Sequence, residues 1–207
     1  MSTKEGALIE PLAVGFHAAN QGGAHIGQVA VVMGAGCIGL VSLLALKAEG
    51  VSKVIVVDVI ERRLEKAKEL GAFATINGQQ VDVVEEVLKM TDYRGCDLVI
   101  ETAGTEITTR QAVKMTKKGS TIVLVGYSSS GEMTLPTSLL LDKELTIKTV
   151  FRYRHIYPSA IEAVAQGKVN IRGIITHEFG LDEIEKGLEE CVHNKAEVVK
   201  AVVKIEH

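Results

Sequence analysis

Short runs of hydrophobic and β-branched residues recur along the first three quarters of the chain, separated by segments of helical spacing. Strands that alternate with helical crossovers form a parallel sheet. Because these runs show almost no polar alternation, both faces of the sheet should be covered by helices. The pattern predicts an α/β protein with a doubly wound six-stranded parallel sheet. The runs are VAVVMG from Val29, KVIVVD from Lys53, ATIN from Ala74, DLVIE from Asp97, STIVLVG from Ser120 and ELTIKTVF from Glu144.

The segments between the runs have the apolar periodicity of helices. Four apolar residues at helical spacing between 60 and 70 predict one helix. The segment 38–48 is apolar nearly all round, which predicts a buried first helix of the crossover type. The opening EPLAVGFHAANQGG predicts a further helix, with Pro11 at its first position and Gly22 or Gly23 at its end.

After Tyr153 the alternation of strands and helices changes. We therefore predict three segments: 1–14 as the end of a preceding domain with a linker, 15–153 as the sheet domain, and 154–207 as a C-terminal remnant of another domain. Within the last segment the pattern predicts a helix at about 158–166, a short strand around Ile174, a helix carrying Leu181, Ile184, Leu188 and Val192, and a strand near Val202.

Composition excludes several kinds of partner. The 207 residues are 46% hydrophobic, enough for a sizeable core, and 23 basic against 26 acidic residues give a net charge of -3 without a basic block. Nucleic acid and anionic membranes are therefore not expected partners, and no apolar stretch is long enough to span a bilayer. Three cysteines without a CxxC pair suit a reducing compartment. We expect a soluble cytoplasmic protein.

A glycine-rich motif lies between the first strand and the first helix. Gly34, Gly36 and Gly39 form GxGxxG in the strand-turn-helix context that gives this motif meaning. Gly34 would permit the tight turn, Gly36 the close approach of a pyrophosphate, and Gly39 the close packing of helix on strand. The helix N-terminus would offer its free N–H groups to the phosphates. The motif predicts a dinucleotide-binding Rossmann domain, with strand order 3-2-1-4-5-6.

An acidic residue supports this prediction. Asp58 ends the second strand, 19 positions after Gly39, where a carboxylate can accept the hydroxyls of the adenosine ribose. The same carboxylate would repel a 2'-phosphate, so NAD is favoured over NADP, although Arg63 leaves NADP open. Methyltransferases also combine such a loop with a strand-end acid, but usually lack the long second half present here.

Three stretches give the chain a resemblance to a known family. With EGALIEPLAVGFHA, VVMGAGCIG and KTVFRY, the sequence resembles the sorbitol and xylitol dehydrogenases of the zinc-dependent medium-chain dehydrogenases from about Glu5 onward. The first stretch is shared with threonine and butanediol dehydrogenases, whereas VFRY points to polyols. The resemblance implies NAD-dependent oxidation of a polyol to a ketose, with threonine, butanediol or another secondary alcohol as the alternative substrate.

The resemblance also implies a set of cofactor contacts. In the family, the position of Ile38 lies against the cofactor, and those of Asp58 and Arg63 hold the adenosine ribose. Two further stretches line the cofactor: Val125, Gly126 and Tyr127 at the nicotinamide, and Val150, Phe151 and Arg152 beside it.

Three residues are implied in catalysis and substrate binding. The resemblance places Glu10 next to the catalytic zinc, and Arg152 and Tyr153 at the polyol hydroxyls. A carboxylate, a guanidinium and a phenol form a suitable hydrogen-bonding set for several hydroxyls. Two structural alternatives stay open: Glu10 could stabilise the start of its helix, and Arg152 could be an ion-pair partner.

The metal itself is not expected in this chain. In the family, a Cys and a His-Glu pair upstream of the stretch that matches Glu5 hold the zinc, and the histidines here lack metal-ligand spacing. We expect an excised portion that binds NAD without turnover, with zinc in the full-length parent only. A non-catalytic NAD-responsive module is the alternative. The apolar edge run ELTIKTVF and the resemblance both favour a homodimer or homotetramer.

Overall fold

The computed structural model describes residues 1–205 and contains the predicted sheet. Its six strands are parallel and lie in the order β3-β2-β1-β4-β5-β6, so the predicted fold class and strand order are confirmed. The strands are β1 (Val29–Met33), β2 (Lys53–Asp58), β3 (Ala74–Asn77), β4 (Cys96–Glu101), β5 (Thr116–Leu124) and β6 (Thr146–Thr149).

Helices cover both faces of this sheet, and the tail adds a small sheet of its own. Two 3-10 helices lie in the tail, at Ile171–Ile174 and Leu181–Glu183. Strands β7 (His177–Gly180) and β8 (Ala201–Lys204) pair in parallel. The α-helices are α1 (Thr3–Ala7), α2 (Ile9–Gly22), α3 (Cys37–Ala48), α4 (Glu61–Glu69), α5 (Val83–Met90), α6 (Glu106–Met115), α7 (Thr137–Asp142), α8 (Tyr157–Ala165) and α9 (Ile184–His193). Among residues 1–205, no helix has the length and apolar character needed to cross a membrane.

Helix α2 starts earlier than its proline suggests. It begins at Ile9, so the prediction that Pro11 occupies the first position is wrong, and Pro11 is the third helical residue. The first turn of a helix has N–H groups without intrahelical acceptors, so proline loses no hydrogen bond there. The helix ends at Gly22, and Gly23 follows with φ 66° in the left-handed region that favours glycine.

Two predicted strands differ from the structure. The strand predicted around Ile174 is wrong, because Ile171 and Ile174 lie three residues apart on a 3-10 helix and are both buried. The long apolar edge strand predicted from ELTIKTVF is also wrong: β6 has four residues, with Thr146, Lys148 and Thr149 exposed. Glu144 precedes it with φ 51°, so the chain is not extended there.

The hydrophobic core forms one layer on each face of the sheet. Neighbouring residues of β1 alternate between the layers, with Val32 in the layer under α2 and α3 and Val31 in the layer under α5 and α6. Helices α2 and α3 come unusually close, since a Cβ on Gly15 would lie 2.6 Å from the carbonyl oxygen of Val41. This contact gives a physical reason for the glycine of EPLAVGFHA.

The tail packs partly on the sheet domain. Ile171, Ile174 and Val202 belong to the same buried cluster as α2 and α3, and that cluster includes residues from all three predicted segments. The segment boundaries themselves stay predictions. The tail also exposes apolar side chains, which form a stripe along α9 and the turn before it: Leu181, Ile184, Leu188 and Val192.

Candidate cofactor site

The glycine loop connects β1 to α3 at the carboxyl edge of the sheet. Gly34 has φ 97°, and its N–H donates to the carbonyl of Val57 at 2.7 Å. A Cβ on Gly39 would lie 1.8 Å from the carbonyl oxygen of Gly34, so α3 touches the strand end directly. A Cβ on Gly36, the N-cap residue of α3, would meet nothing within 4 Å. The backbone at Gly39 is therefore packed against Gly34, whereas the backbone at Gly36 has free space in front of it.

A cavity of about 620 Å³ opens in front of this loop. It lies where the strand order reverses, between the ends of β1 and β4, the position at which doubly wound sheets bind their ligands. Six predicted residues line it: Gly34, Gly36, Ile38, Gly39, Asp58 and Arg63. Sequence reasoning missed a second wall after β4, which includes Thr102, Ala103, Ile107, Thr108 and Gln111.

The Asp58 carboxylate is held by the backbone of two loops. One oxygen accepts the N–H of Ala35 in the glycine loop at 2.6 Å. The other accepts the N–H groups of Val59 and Ile60, at 2.8 and 2.9 Å. The residue is 9% exposed and lines the cavity. Its orientation is thus fixed before any ligand arrives, which lowers the entropic cost of binding one.

Arg63 reaches the cavity from α4. Its guanidinium donates to the carbonyl of Lys195, so it also joins α4 to the tail. Its Nε is buried and has no hydrogen-bond partner in the described residues. A buried donor without an acceptor costs free energy, so α4 carries an unsatisfied polar atom in a residue that lines the cavity.

Glu101, at the end of β4, was missed by the sequence analysis. Its side chain is fully buried and accepts the N–H groups of Ala103 and Gly104, both at 3.0 Å, and the hydroxyl of Thr108 at 2.8 Å. Burial raises the pKa of this carboxyl, while the three donors oppose the shift. The sequence signal was an acid that ends an apolar run directly before Thr-Ala-Gly.

The predicted nicotinamide stretch lies beside this loop. The N–H groups of Val125 and Gly126 donate to the carbonyl of Glu101, at 2.8 and 3.0 Å. A Cβ on Gly104 would lie 2.2 Å from the carbonyl oxygen of Tyr127, so the loops after β4 and β5 are in backbone contact. Tyr127 is 77% exposed. None of Val125, Gly126 and Tyr127 lines the cavity.

The second predicted stretch lies at a separate depression. Val150 is buried and donates its N–H to the carbonyl of Leu124 at 2.9 Å. Phe151, Arg152 and Tyr153 then line an open depression of about 570 Å³, together with His17 of α2. The structure therefore places Arg152 and Tyr153 together, but away from the residues that line the main cavity.

Glu10 is exposed in the first turn of α2. A hydrogen bond to Tyr153, burial and the charges of Tyr153 and Glu10 raise the pKa of Tyr157 to about 12. The pKa of the Cys37 thiol is raised mainly by burial and further by Glu10. Glu10 therefore lies near both side chains. Across residues 1–205, no group of three or more His, Cys, Asp or Glu residues could hold a metal ion, so the described residues do not form a zinc site.

A doubly wound sheet with a glycine loop facing a fixed strand-end carboxylate is the arrangement of a Rossmann-like α/β domain. The family model of the zinc-binding dehydrogenases matches residues 37–166, and the chain belongs to this family. It is 40% identical over 205 residues to the uncharacterized zinc-type alcohol dehydrogenase-like protein YdjJ of Escherichia coli, and 36% identical over 203 residues to the sorbitol dehydrogenase of Bacillus subtilis. These alignments cover 99% and 98% of the chain, and 58% of each relative.

Solved structures agree with this assignment. An oxidoreductase/dehydrogenase of unknown specificity from Escherichia coli superimposes with a TM-score of 0.95 at 39% identity, covering all of the chain and 59% of that protein. An alcohol dehydrogenase from Escherichia coli in complex with NADH has a TM-score of 0.88 at 28% identity, covering 95% of the chain and 58% of that protein. The chain thus spans less than two thirds of the length of these relatives.

Proposed function

We propose that this chain provides the NAD-binding part of a zinc-type polyol dehydrogenase that oxidises a sorbitol- or xylitol-like polyol to a ketose. One observation carries the cofactor assignment: the glycine loop, Asp58 and Arg63 meet in one cavity at the switch point of the sheet. A related structure with bound NADH supports the same cofactor type. When bound, NAD supplies the acceptor for the hydride that leaves the alcohol carbon.

Each part of the cavity has a suitable partner on NAD. The open side of Gly36 at the start of α3 would receive the pyrophosphate, because nothing there blocks its approach to the free N–H groups. Asp58 would accept the adenosine ribose hydroxyls, and the guanidinium of Arg63, which lines the same cavity, would donate to the same sugar. The fixed carboxylate disfavours a 2'-phosphate, so we infer a preference for NAD over NADP.

The polyol assignment rests on other residues. Arg152 and Tyr153 lie side by side in the second depression and present a guanidinium and a phenol to it. Similarity to sorbitol dehydrogenases supports a substrate with several hydroxyls. Within the whole protein, these two groups would hold the polyol chain by hydrogen bonds and Glu10 would lie towards the metal.

Zinc chemistry is not assigned to the described residues. Glu10 is a single carboxylate, and the described residues bring no second and third ligand to it. We infer that the whole protein holds the metal with ligands from other parts of its sequence. The 207-residue chain on its own should therefore bind NAD without oxidising polyols.

Calorimetric titration of the 207-residue chain with NAD and with NADP tests the cofactor proposal. Asp58→Asn should weaken NAD binding by about tenfold to a hundredfold, because a charged hydrogen-bond acceptor is lost. Asp92→Asn is the matched control, because it makes the same substitution at an exposed residue that does not line the cavity. Asp92 has φ 49°, which asparagine tolerates. No NAD binding, or equal losses in both variants, would contradict the proposal.

The substrate proposal needs the whole protein. A panel of sorbitol, xylitol, threonine and 2,3-butanediol, assayed with NAD and zinc, should show the highest kcat/KM with a polyol. Oxidation of threonine without polyol activity would reject the polyol assignment. Steady reduction of NAD by the 207-residue chain with a polyol and added zinc would contradict the proposal that this chain by itself cannot oxidise polyols.

A further inference from the structure

The depression at Arg152 carries positive charge that the polyol assignment does not use. It lies where the chain leaves β6 and passes α2, and has a volume of about 570 Å³. Three basic side chains line it together with a phenol and a hydroxyl. The lining residues are His17, Thr149, Phe151, Arg152, Tyr153 and Arg154.

Both arginines of this depression lack a carboxylate partner. Neither Arg152 nor Arg154 takes part in an ion pair within the described part of the chain. The guanidinium carbon of Arg152 lies 5.2 Å from the centroid of the Phe151 ring, a cation-π arrangement that leaves its N–H groups available. Two unpaired guanidinium groups on one concave surface form a strong site for an oxyanion.

His17 adds a further polar side chain to the same surface. It is 7% exposed, lines the depression, and has no hydrogen bond to any described residue. Burial and the positive charge of Arg154 lower the pKa of this ring, which favours its neutral form with one N–H donor. The ring nitrogens are not closed off from solvent, so an acceptor in the depression can hydrogen-bond to the ring.

The backbone holds these groups in place. Arg152 has φ 59° and His155 has φ 55°, both in the left-handed region that non-glycine residues rarely adopt. Such conformations persist where the surrounding structure enforces them, and they concentrate at ligand sites. Tyr157 donates its hydroxyl to that of Tyr153 at 3.2 Å, which leaves the Tyr153 hydroxyl free to donate into the depression.

We propose that His17, Arg152 and Arg154 bind an oxyanion, and that the preferred substrate is a polyol bearing a phosphate or carboxylate at the end remote from the reacting carbon. This inference rests on the proposed function and narrows its substrate class. A neutral polyol would leave both guanidinium groups and the His17 donor without a charged acceptor. A phosphate or carboxylate would satisfy them in one contact region.

Binding to the NAD-saturated 207-residue chain tests this proposal. Calorimetric titrations use D-sorbitol, D-sorbitol 6-phosphate, D-gluconate and inorganic phosphate, so that the phosphate and carboxylate forms of the anion are separated. We expect at least one anionic polyol to bind about tenfold to a hundredfold more tightly than sorbitol. Arg154→Gln should reduce that ratio about tenfold, and phosphate should shift the His17 ring signals in the NMR spectrum.

Arg110→Gln is the matched control, because Arg110 lies on α6 and pairs with Glu106. The control should leave the ratio unchanged, and thermal melting checks that each variant folds. Equal affinities for sorbitol and both anionic polyols, or equal effects of the two arginine variants, would overturn the inference. In either case NAD binding by the same samples would leave the cofactor proposal standing, whereas failure of NAD binding alone would count against the proposed function.

Discussion

The carboxylate of Glu101 accepts the backbone N–H of Gly104 with both of its oxygens, at 3.0 and 3.1 Å. One of these oxygens also accepts from Ala103 and from the Thr108 hydroxyl. A buried acid thus folds the loop after its own strand back onto itself. That loop forms one wall of the cofactor cavity, and Gly104 joins it to the loop of Tyr127.

Removing the carboxylate should loosen that wall. Glu101→Ala leaves three donors without an acceptor, and we expect a loss of about 2–3 kcal/mol in the free energy of unfolding. Glu101→Gln keeps one acceptor oxygen and should lose about 1 kcal/mol. Urea unfolding measures both, and NAD titration should show weaker binding in the same order. Glu189→Ala, at an exposed position on α9, is the control; an alanine variant at Glu101 as stable as this control would contradict the assignment.

Alanine substitutions at Gly36 and Gly39 should affect different properties, NAD binding in the first case and folding stability in the second. Gly39→Ala forces a Cβ to within 1.8 Å of the Gly34 carbonyl oxygen, so we expect a loss of about 1–3 kcal/mol in stability. Gly36→Ala has free space and φ -72°, so the fold should tolerate it. Its methyl group would occupy the approach to the α3 N-terminus and weaken NAD binding by about tenfold. Thermal melting with NAD titration distinguishes the two outcomes, and a destabilised Gly36→Ala with normal NAD affinity would reject this division.

The sequence predicts those parts of the structure that depend on residues close together in the chain. The strands and their order follow from runs such as KVIVVD and from the motif at Gly34, since both are local patterns. The 3-10 helix at Ile174 has no distinctive pattern, because two isoleucines three residues apart fit several structures. Edge-strand length was overestimated because the exposed Thr146 and Lys148 follow the same β-branched pattern as buried residues.

Long-range contacts explain the part of the site that was missed. Asp58 was found by its spacing from the glycine loop, but its bond to Ala35 depends on the packing of two strands. Glu101 has no spacing rule, and only the return of its loop shows that its carboxylate faces inward. Likewise, no local pattern joins His17 to Arg154, because 137 positions separate them.

Acid should destabilise the fold through His17. The pKa of this ring in the folded protein is lowered below 6.5 by burial and by Arg154, so the unfolded chain binds the proton more tightly. The stability contribution is therefore full above about pH 6.5 and is lost as the pH falls through the folded pKa. Urea unfolding between pH 7.5 and 5.5 should show a smaller decline for His17→Gln than for the unchanged chain. His25→Gln, at an exposed position, should decline like the unchanged chain; equal slopes in all three proteins would contradict this.

Association through β6 stays a prediction. The strand has one free edge, and Ile147 is half-buried between exposed neighbours. We expect the chain to form a dimer through this edge, and Ile147→Pro should weaken it, since proline removes an N–H from the strand. Analytical ultracentrifugation over a concentration series measures the change. A chain that sediments as a monomer at high concentration would rule out the dimer.

Helix α2 packs against α8, and α3 packs against the 3-10 helix at Ile171–Ile174. The core around these early helices is therefore complete only when elements from the last quarter of the chain pack against them. A ribosome releases these partners in sequence order, so α2 can pack on α3 early, whereas the part of α2 that contacts α8 stays uncovered while more than a hundred further residues are made. At about 5–20 residues per second, that part of α2 stays exposed for seconds before its core is complete.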